Sequence, residues 1–202
     1  MTNEHYYSKH PQVASDRHTW SATIGSKSFE FTTDAGVFSK TRIDQGSALL
    51  AVTAGESTLQ PGPILDMGCG YGPVGIYLAQ AFPKHMVEMV DINERAVALS
   101  QENAEKNGVA EQTTIYESTI FSEVSTQDFS LIVSNPPIRA GKKVVHQILT
   151  ESYDHLQPGG RLQIVIQKKQ GAPSAKKKMA AVFGNVERIA LKKGYWILES
   201  VK

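Results

Sequence analysis

Residues 63–79 read Pro-Ile-Leu-Asp-Met-Gly-Cys-Gly-Tyr-Gly-Pro-Val-Gly-Ile-Tyr-Leu-Ala. Ile64 and Leu65 supply an apolar strand end, Gly68, Gly70 and Gly72 a sharp turn, and Val74, Ile76, Leu78 and Ala79 the start of a helix. Glycine has no Cβ, so a turn of this kind lets the backbone approach a ligand closely. Strand, glycine turn and helix in immediate succession set a helix N-terminus against a bound small molecule and belong to an α/β sheet.

Two ligand classes fit the loop. Gly70-x-Gly72-x-x-Gly75 matches the dinucleotide fingerprint, and Asp91 follows at the distance expected of a ribose-binding acid. Asp66-x-Gly68-x-Gly70-x-Gly72 matches instead the loop of enzymes that use S-adenosylmethionine. A carboxylate at the mouth of the loop repels a pyrophosphate, whereas the ammonium and sulfonium of S-adenosylmethionine are cations that favour it. The glycine loop alone is also compatible with an ordinary tight turn, so other stretches must decide.

With 202 residues, 41% hydrophobic and 20% charged, the chain suits one globular domain with a small extension. The formal net charge of +1 demands no nucleic-acid partner, so any basic surface must be local. The single cysteine, Cys69, excludes an internal disulfide, fits a reducing compartment, and reads as a small loop residue rather than a nucleophile. The polar start Met1–Ser8 does not read as a signal peptide, and no stretch approaches the ~20 apolar residues of a membrane span. A cytoplasmic location is expected. His5, His10 and His18 match no metal-ligand spacing, and no metal is expected.

Residues 19–31 alternate around Gly25-Ser26-Lys27 and predict a β-hairpin. A loop carrying Phe38 follows, then a helix over 44–54 with Asp44 as cap and Ala48, Leu49 and Val52 as its apolar face. Strands are expected at 63–67, 86–91, 113–117, 128–134, 160–167, 185–191 and 194–200, and helices at 73–82, 94–107, 143–156 and 174–183. Pro83 and Gly108 are stop signals, and Asn93 is an N-cap. Alternating strands and helices predict a mostly parallel, doubly wound sheet. Lys192-Lys193-Gly194 is too short for a parallel crossover, so the last two strands must be antiparallel. The division expected is 1–58, an extension of hairpin, loop and helix over the cofactor site, and 59–202, the main α/β domain.

Asp91 closes the second strand of that domain, beside the glycine loop, where a carboxylate can accept ribose hydroxyls and Ile92 can pack on an adenine face. Ser134-Asn135-Pro136-Pro137-Ile138 follows the fourth strand. Two prolines remove two backbone donors and fix φ, leaving carbonyls pointing out of a rigid turn. The Asn135 amide oxygen and the Pro136 carbonyl are two acceptors for the two hydrogens of one NH₂ group. Held out of the ring plane, those hydrogens make a delocalised exocyclic amine pyramidal and aim its lone pair at a sulfonium methyl.

Asp66–Gly72, Asp91 and Asn135-Pro136-Pro137 resemble the class I S-adenosylmethionine-dependent methyltransferases that methylate amines. Asn135-Pro136-Pro137-Ile138-Arg139-Ala140-Gly141-Lys142, Gln167–Ala175 and Gly36-Val37-Phe38-Ser39 resemble, more closely, the RsmC-like ribosomal RNA guanine-N2 methyltransferases, over most of the chain from about Tyr6. The resemblance implies a Rossmann-like fold with a mostly parallel seven-stranded sheet ending in an antiparallel hairpin, in a one-domain form. It implies S-adenosylmethionine as cofactor and ribosomal RNA, or an assembling small subunit, as partner. Cofactor-binding residues would be Asp66, Gly68, Gly70, Gly72, Asp91, Ile92, Ser118, Thr119 and Asn135; catalytic residues Asn135, Pro136 and Pro137. Thr119 stands where relatives often carry the Asp that reads the adenine amine; its hydroxyl, or a carbonyl of Ser118 or Thr119, would substitute.

Ile138 replaces the aromatic that adenine and glutamine methyltransferases usually carry after the two prolines, which favours guanine. Phe38 is either a stacking platform for the target base or a core anchor. Arg139, Lys142, Lys168 and Lys169 are candidate RNA contacts, and Lys176–Lys178 oppose the dipole of their own helix, which phosphate contact would explain. Three other readings stay open: a methyltransferase of adenine, protein glutamine or a small molecule; an NAD-dependent oxidoreductase; and a non-catalytic RNA-binding domain.

Overall fold

A computed structural model describes residues 13–39 and 41–202; His5, His10 and the start Met1–Ser8 lie outside them. β1 (His18–Ile24) and β2 (Lys27–Thr33) form the expected hairpin, turned at Gly25 with φ 59°. Phe29 and Phe31 are buried. α1 (Gln45–Gly55) is capped by Asp44, whose side chain accepts from Ser47 N. Its buried residues are Gly46, Ser47, Leu50, Ala51 and Ala54, not the expected Ala48, Leu49 and Val52, which are half-buried. The true face has i, i+3, i+4, i+7 spacing but includes a serine and two alanines, too weakly apolar to stand out.

The main sheet comprises β3 (Ile64–Met67), β4 (Val87–Asp91), β5 (Thr113–Glu117), β6 (Phe129–Ser134), β7 (Leu156–Gln167), β8 (Glu187–Lys192) and β9 (Tyr195–Val201), in the order β5-β4-β3-β6-β7-β9-β8. Pairings from β5 to β7 are parallel, and β9 runs antiparallel to both β7 and β8. The expected doubly wound sheet with its C-terminal antiparallel hairpin is present. Lys193 and Gly194 turn that hairpin with φ 49° and 82°, the two positive values that match the twist of paired strands. α2 (Pro73–Ala81), α3 (Glu94–Lys106), α4 (Lys142–His155) and α5 (Ala172–Phe183) alternate with the strands.

Most boundaries shift by one or two residues, and two of the shifts have a clear physical cause. β7 begins at Leu156, directly after α4, and Pro158-Gly159-Gly160 does not end it. Phe129 pairs with Leu156 and Leu131 with Arg161, so the proline-glycine run is a bulge. A Cβ on Gly160 would stand 2.6 Å from the Phe129 carbonyl, so glycine permits the close approach. α5 starts at Ala172, with Pro173 in its first turn where a missing N–H costs nothing.

Both sheet faces are covered. Ile64, Leu131, Val133 and Val165 pack with α2 and the hairpin, while Leu65, Ile132, Leu162 and Ile164 pack with α4 and α5. The hairpin and α1 share the first of these cores. Among the described residues β2 has no second strand partner; α3 supplies side-chain amides in its place. Asn103 accepts from Thr32 N at 2.7 Å and donates to Thr32 O at 2.9 Å. Asn107, one turn on, accepts from Glu30 N at 3.1 Å and donates to Glu30 O at 2.8 Å. Asn103 also donates to Tyr71 O at 2.8 Å, which ties the hairpin to the glycine loop.

Strand order reverses at β3, with β4 on one side and β6 on the other. Such a switch point opens a crevice beyond the carboxyl ends of the strands. The glycine loop, Asp91 and Asn135 all sit at that edge.

Candidate active site

A cavity of about 360 Å³ occupies the crevice, within the range of small-molecule sites. Gly68 and Gly70 line it, with φ 75° and 59°, and a Cβ on either would meet nothing within 4 Å. Their missing side chains leave space for a ligand rather than for the protein core. Gly72 does not line the cavity. Its Cβ would stand 2.9 Å from Ile76 Cδ1 and Ser100 Oγ, and its φ is 97°, so glycine there serves the turn and the packing beneath it. Gly75 likewise packs on Met89. The Gly75 N–H donates to Asp66 Oδ2 at 2.8 Å, and Pro73, at the start of α2 where a pyrophosphate would rest, offers no N–H. Of the dinucleotide register, Gly70 faces the cavity, and Gly72 and Gly75 face the protein.

Asp66 is buried beneath the loop rather than exposed at its mouth, yet it borders the cavity. Burial, opposed by the Gly75 hydrogen bond and reinforced by the charge of Asp91, pushes its carboxyl up to about 7. Asp91 is also raised, by burial, against hydrogen bonds from the backbone of Asn93, Gly70 and Ile92. Asp91 Oδ2 accepts from Gly70 N and Oδ1 from Asn93 N, both at 2.9 Å. Three backbone donors do not use up the roughly four lone-pair sites of a carboxylate, so acceptor capacity remains for a ribose hydroxyl. Cys69, between the two acids, is a buried thiol raised by that burial and by Asp91 and Asp66. A thiol of that kind is inert.

Ile92, Ser118 and Thr119 line the far end of the cavity. The Ser118 hydroxyl is spent on its own turn, donating to Ile120 O at 2.7 Å and accepting from Glu123 N at 3.2 Å. The Thr119 hydroxyl makes no hydrogen bond with the described residues and is the side chain left to read a base there. Phe38 is 39% exposed and lines the cavity, so it is not a core anchor. Ile138 packs on the core beside α4 and does not line the cavity. Arg139, Lys142, Lys168 and Lys169 are exposed near the same edge, outside the cavity.

Asn135, Pro136 and Pro137 line the cavity, all three through trans peptides. The Pro137 carbonyl accepts from Ala140 N at 2.9 Å; the Pro136 carbonyl has no such partner among the described residues. Asn135 Nδ2 donates to Ser47 Oγ at 3.0 Å and Asp44 Oδ2 at 3.3 Å. Both amide hydrogens are thus directed at the N-terminus of α1, and the carbonyl oxygen is the end available to a ligand. Asp44 and Ser47 line the cavity too, and the sequence pointed to neither. The signal present was Gly46, an unfavourable residue in the first turn of a helix.

The profile of the methyltransferase small domain family matches residues 28–199. The chain belongs to this family. It is 52% identical over 201 residues to the uncharacterized Bacillus subtilis protein YbxB, covering 99% of both. It is 37% identical over 134 residues to the ribosomal RNA small subunit methyltransferase C of Pasteurella multocida, a match covering 64% of this chain and 39% of that relative. Among solved structures, a T. thermophilus 16S rRNA N2 G1207 methyltransferase (RsmC), in complex with AdoMet and guanosine, superposes with TM-score 0.81 at 24% identity, over 95% of this chain and 52% of that one.

The fold is therefore that of S-adenosylmethionine-dependent methyltransferases, and the residues present suit that cofactor. Gly68 and Gly70 leave room for it. Asp66 is a buried carboxylate with a raised pKa that a cation of the cofactor would relieve, and Asp91, half-buried, has acceptor capacity for its ribose. Among the described residues no cluster of His, Cys, Asp and Glu could hold a metal ion, and no helix is long and apolar enough to cross a membrane.

Proposed function

We propose that this methyltransferase acts on the exocyclic N2 amine of a guanine in small-subunit ribosomal RNA, in the cytoplasm. One observation carries the reading: the Asn135 amide has both hydrogens engaged, so its oxygen and the Pro136 carbonyl remain as two acceptors on the cavity wall. S-adenosylmethionine supplies an electrophilic methyl on a sulfonium. Asn135 Oδ1 and Pro136 O accept the two amine hydrogens, hold them out of the ring plane and direct the lone pair. Most of the rate gain is positioning. No strong base is needed beforehand, because the amine becomes acidic only as it is methylated.

Asp66 and Asp91 hold the cofactor's cationic and ribose portions, Ile92 and Thr119 its adenine. Phe38, exposed beside the cavity, is a face on which a flipped base can stack. Arg139, Lys142, Lys168 and Lys169 form a basic rim for phosphates. Relatives named ribosomal RNA small subunit methyltransferase C support the RNA target. Residues 1–58 act as an extension that completes the site through Phe38, Asp44 and Ser47. The test is methyl transfer from labelled S-adenosylmethionine to ribosomal RNA and to small subunits; label confined to another base or to protein would refute the reading.

A further inference from the structure

We infer that Asp44 is a positioning residue for Asn135: its carboxylate turns and polarises the amide that holds the target amine. The inference deepens the proposed function and rests on it. Asp44 caps α1, its Oδ2 accepting from Ser47 N at 3.0 Å. A cap needs one acceptor oxygen, and Ser or Asn provides it as well as Asp does. Asp44 does more than this. The same Oδ2 lies 3.3 Å from Asn135 Nδ2, and Tyr195 donates its hydroxyl to Oδ1 at 3.5 Å.

Three consequences follow from an anion at this place. A flipped Asn135 amide would set its oxygen against a carboxylate, so the charge enforces one orientation. Hydrogen bonds to ionised acceptors are roughly twice as strong as neutral ones. Donation to an anion also shifts amide electron density onto the carbonyl oxygen, which strengthens it as an acceptor.

Gly46 supplies independent support. Glycine inside a helix costs ~1 kcal/mol relative to alanine. A Cβ there would stand 2.8 Å from Asp44 Oδ2 and 2.9 Å from Tyr195 Cδ1 and Cε1. Glycine thus stands where helix formation disfavours it and where a methyl would press on the Tyr195 ring and push Asp44 away from Asn135.

The test compares Asp44→Ser, Asp44→Asn and Gly46→Ala for kcat, RNA KM, cofactor Kd and thermal midpoint. Asp44→Ser keeps a cap but cannot reach Asn135; its kcat should fall about 100-fold with KM and cofactor Kd within about twofold. Asp44→Asn, which restores reach without charge, should recover part of the loss and serves if the serine variant does not fold. Gly46→Ala should lower kcat by roughly tenfold despite its better helix propensity. In an Asn135→Ala background, Asp44→Ser should cost nothing further.

A folded Asp44→Ser with wild-type kcat, or losses that add to those of Asn135→Ala, would overturn the inference. If the wild type transfers no methyl, the proposed function fails, and the inference is read instead by NMR. The Asn135 side-chain amide protons should be shifted downfield in the wild type and collapse to ordinary values in Asp44→Ser; unchanged shifts would overturn it.

Discussion

The amide of Asn135 divides its bonds, hydrogens toward Asp44 and Ser47 and oxygen toward the cavity. Asn135→Ala should lower kcat by about 10³-fold, the scale seen when a positioned polar group is lost from a reacting centre. Cofactor Kd, read by calorimetry, should stay within about twofold, since Asp66 and Asp91 are untouched. Asp66 gives a pH prediction. Its carboxyl, raised to about 7 chiefly by burial, must lose a proton to meet a cation, so affinity should rise with pH through about 7. Calorimetry at pH 6 and 8 should show weaker binding at pH 6 and proton release on binding; a flat profile would contradict this assignment. The same shift means that the free protein loses stability as pH rises from 3.8 toward about 7, because the unfolded carboxyl ionises first. Asp66, Asp91 and Asn135 were legible because each lies at or just beyond the carboxyl end of a strand in a recognisable run. The second role of Asp44 was not, because its contact with Asn135 spans 91 residues and local spacing reveals only the cap.

At the scale of elements, alternation and turn chemistry read all seven strands of the main sheet, and the short Lys193-Gly194 connection gave the antiparallel end. The start of β7 escaped, because Pro158-Gly159-Gly160 carries the residues of a turn while tertiary pairing makes it a bulge. The docking of the hairpin on α3 also escaped, because it depends on side-chain amides standing in for a strand. Asn103 is buried and makes three bonds, to Thr32 N, Thr32 O and Tyr71 O. Asn103→Ala should therefore destabilise by about 3 kcal/mol in urea unfolding and weaken cofactor binding, because the glycine loop loses its tie. The Asn107 contacts with Glu30 are exposed, so Asn107→Ala should cost only about 1 kcal/mol. Equal losses would mean that the two amides do not act as an edge for β2 in the manner described.

Across the whole molecule, a net charge of +1 conceals a local excess, with Arg139, Lys142, Lys168 and Lys169 all exposed near the catalytic edge. If these residues meet phosphates, RNA affinity must fall with salt. The Lys168→Ala/Lys169→Ala double variant should flatten the log–log salt dependence by about 0.7 per lost contact on single-stranded RNA, with cofactor Kd unchanged. An unaltered slope would move the RNA path elsewhere on the surface. The glycine loop, the cofactor crevice and the amine-holding turn converge on one edge of one sheet. The proposed reaction is tested most directly by incubating the purified protein with S-adenosylmethionine and unmodified small-subunit ribosomal RNA, free and assembled, then separating the nucleosides by mass spectrometry. N2-methylguanosine is the expected product, absent with Asn135→Ala. Methylation of adenine alone, or no methylated nucleoside from either substrate, would contradict the proposed reaction.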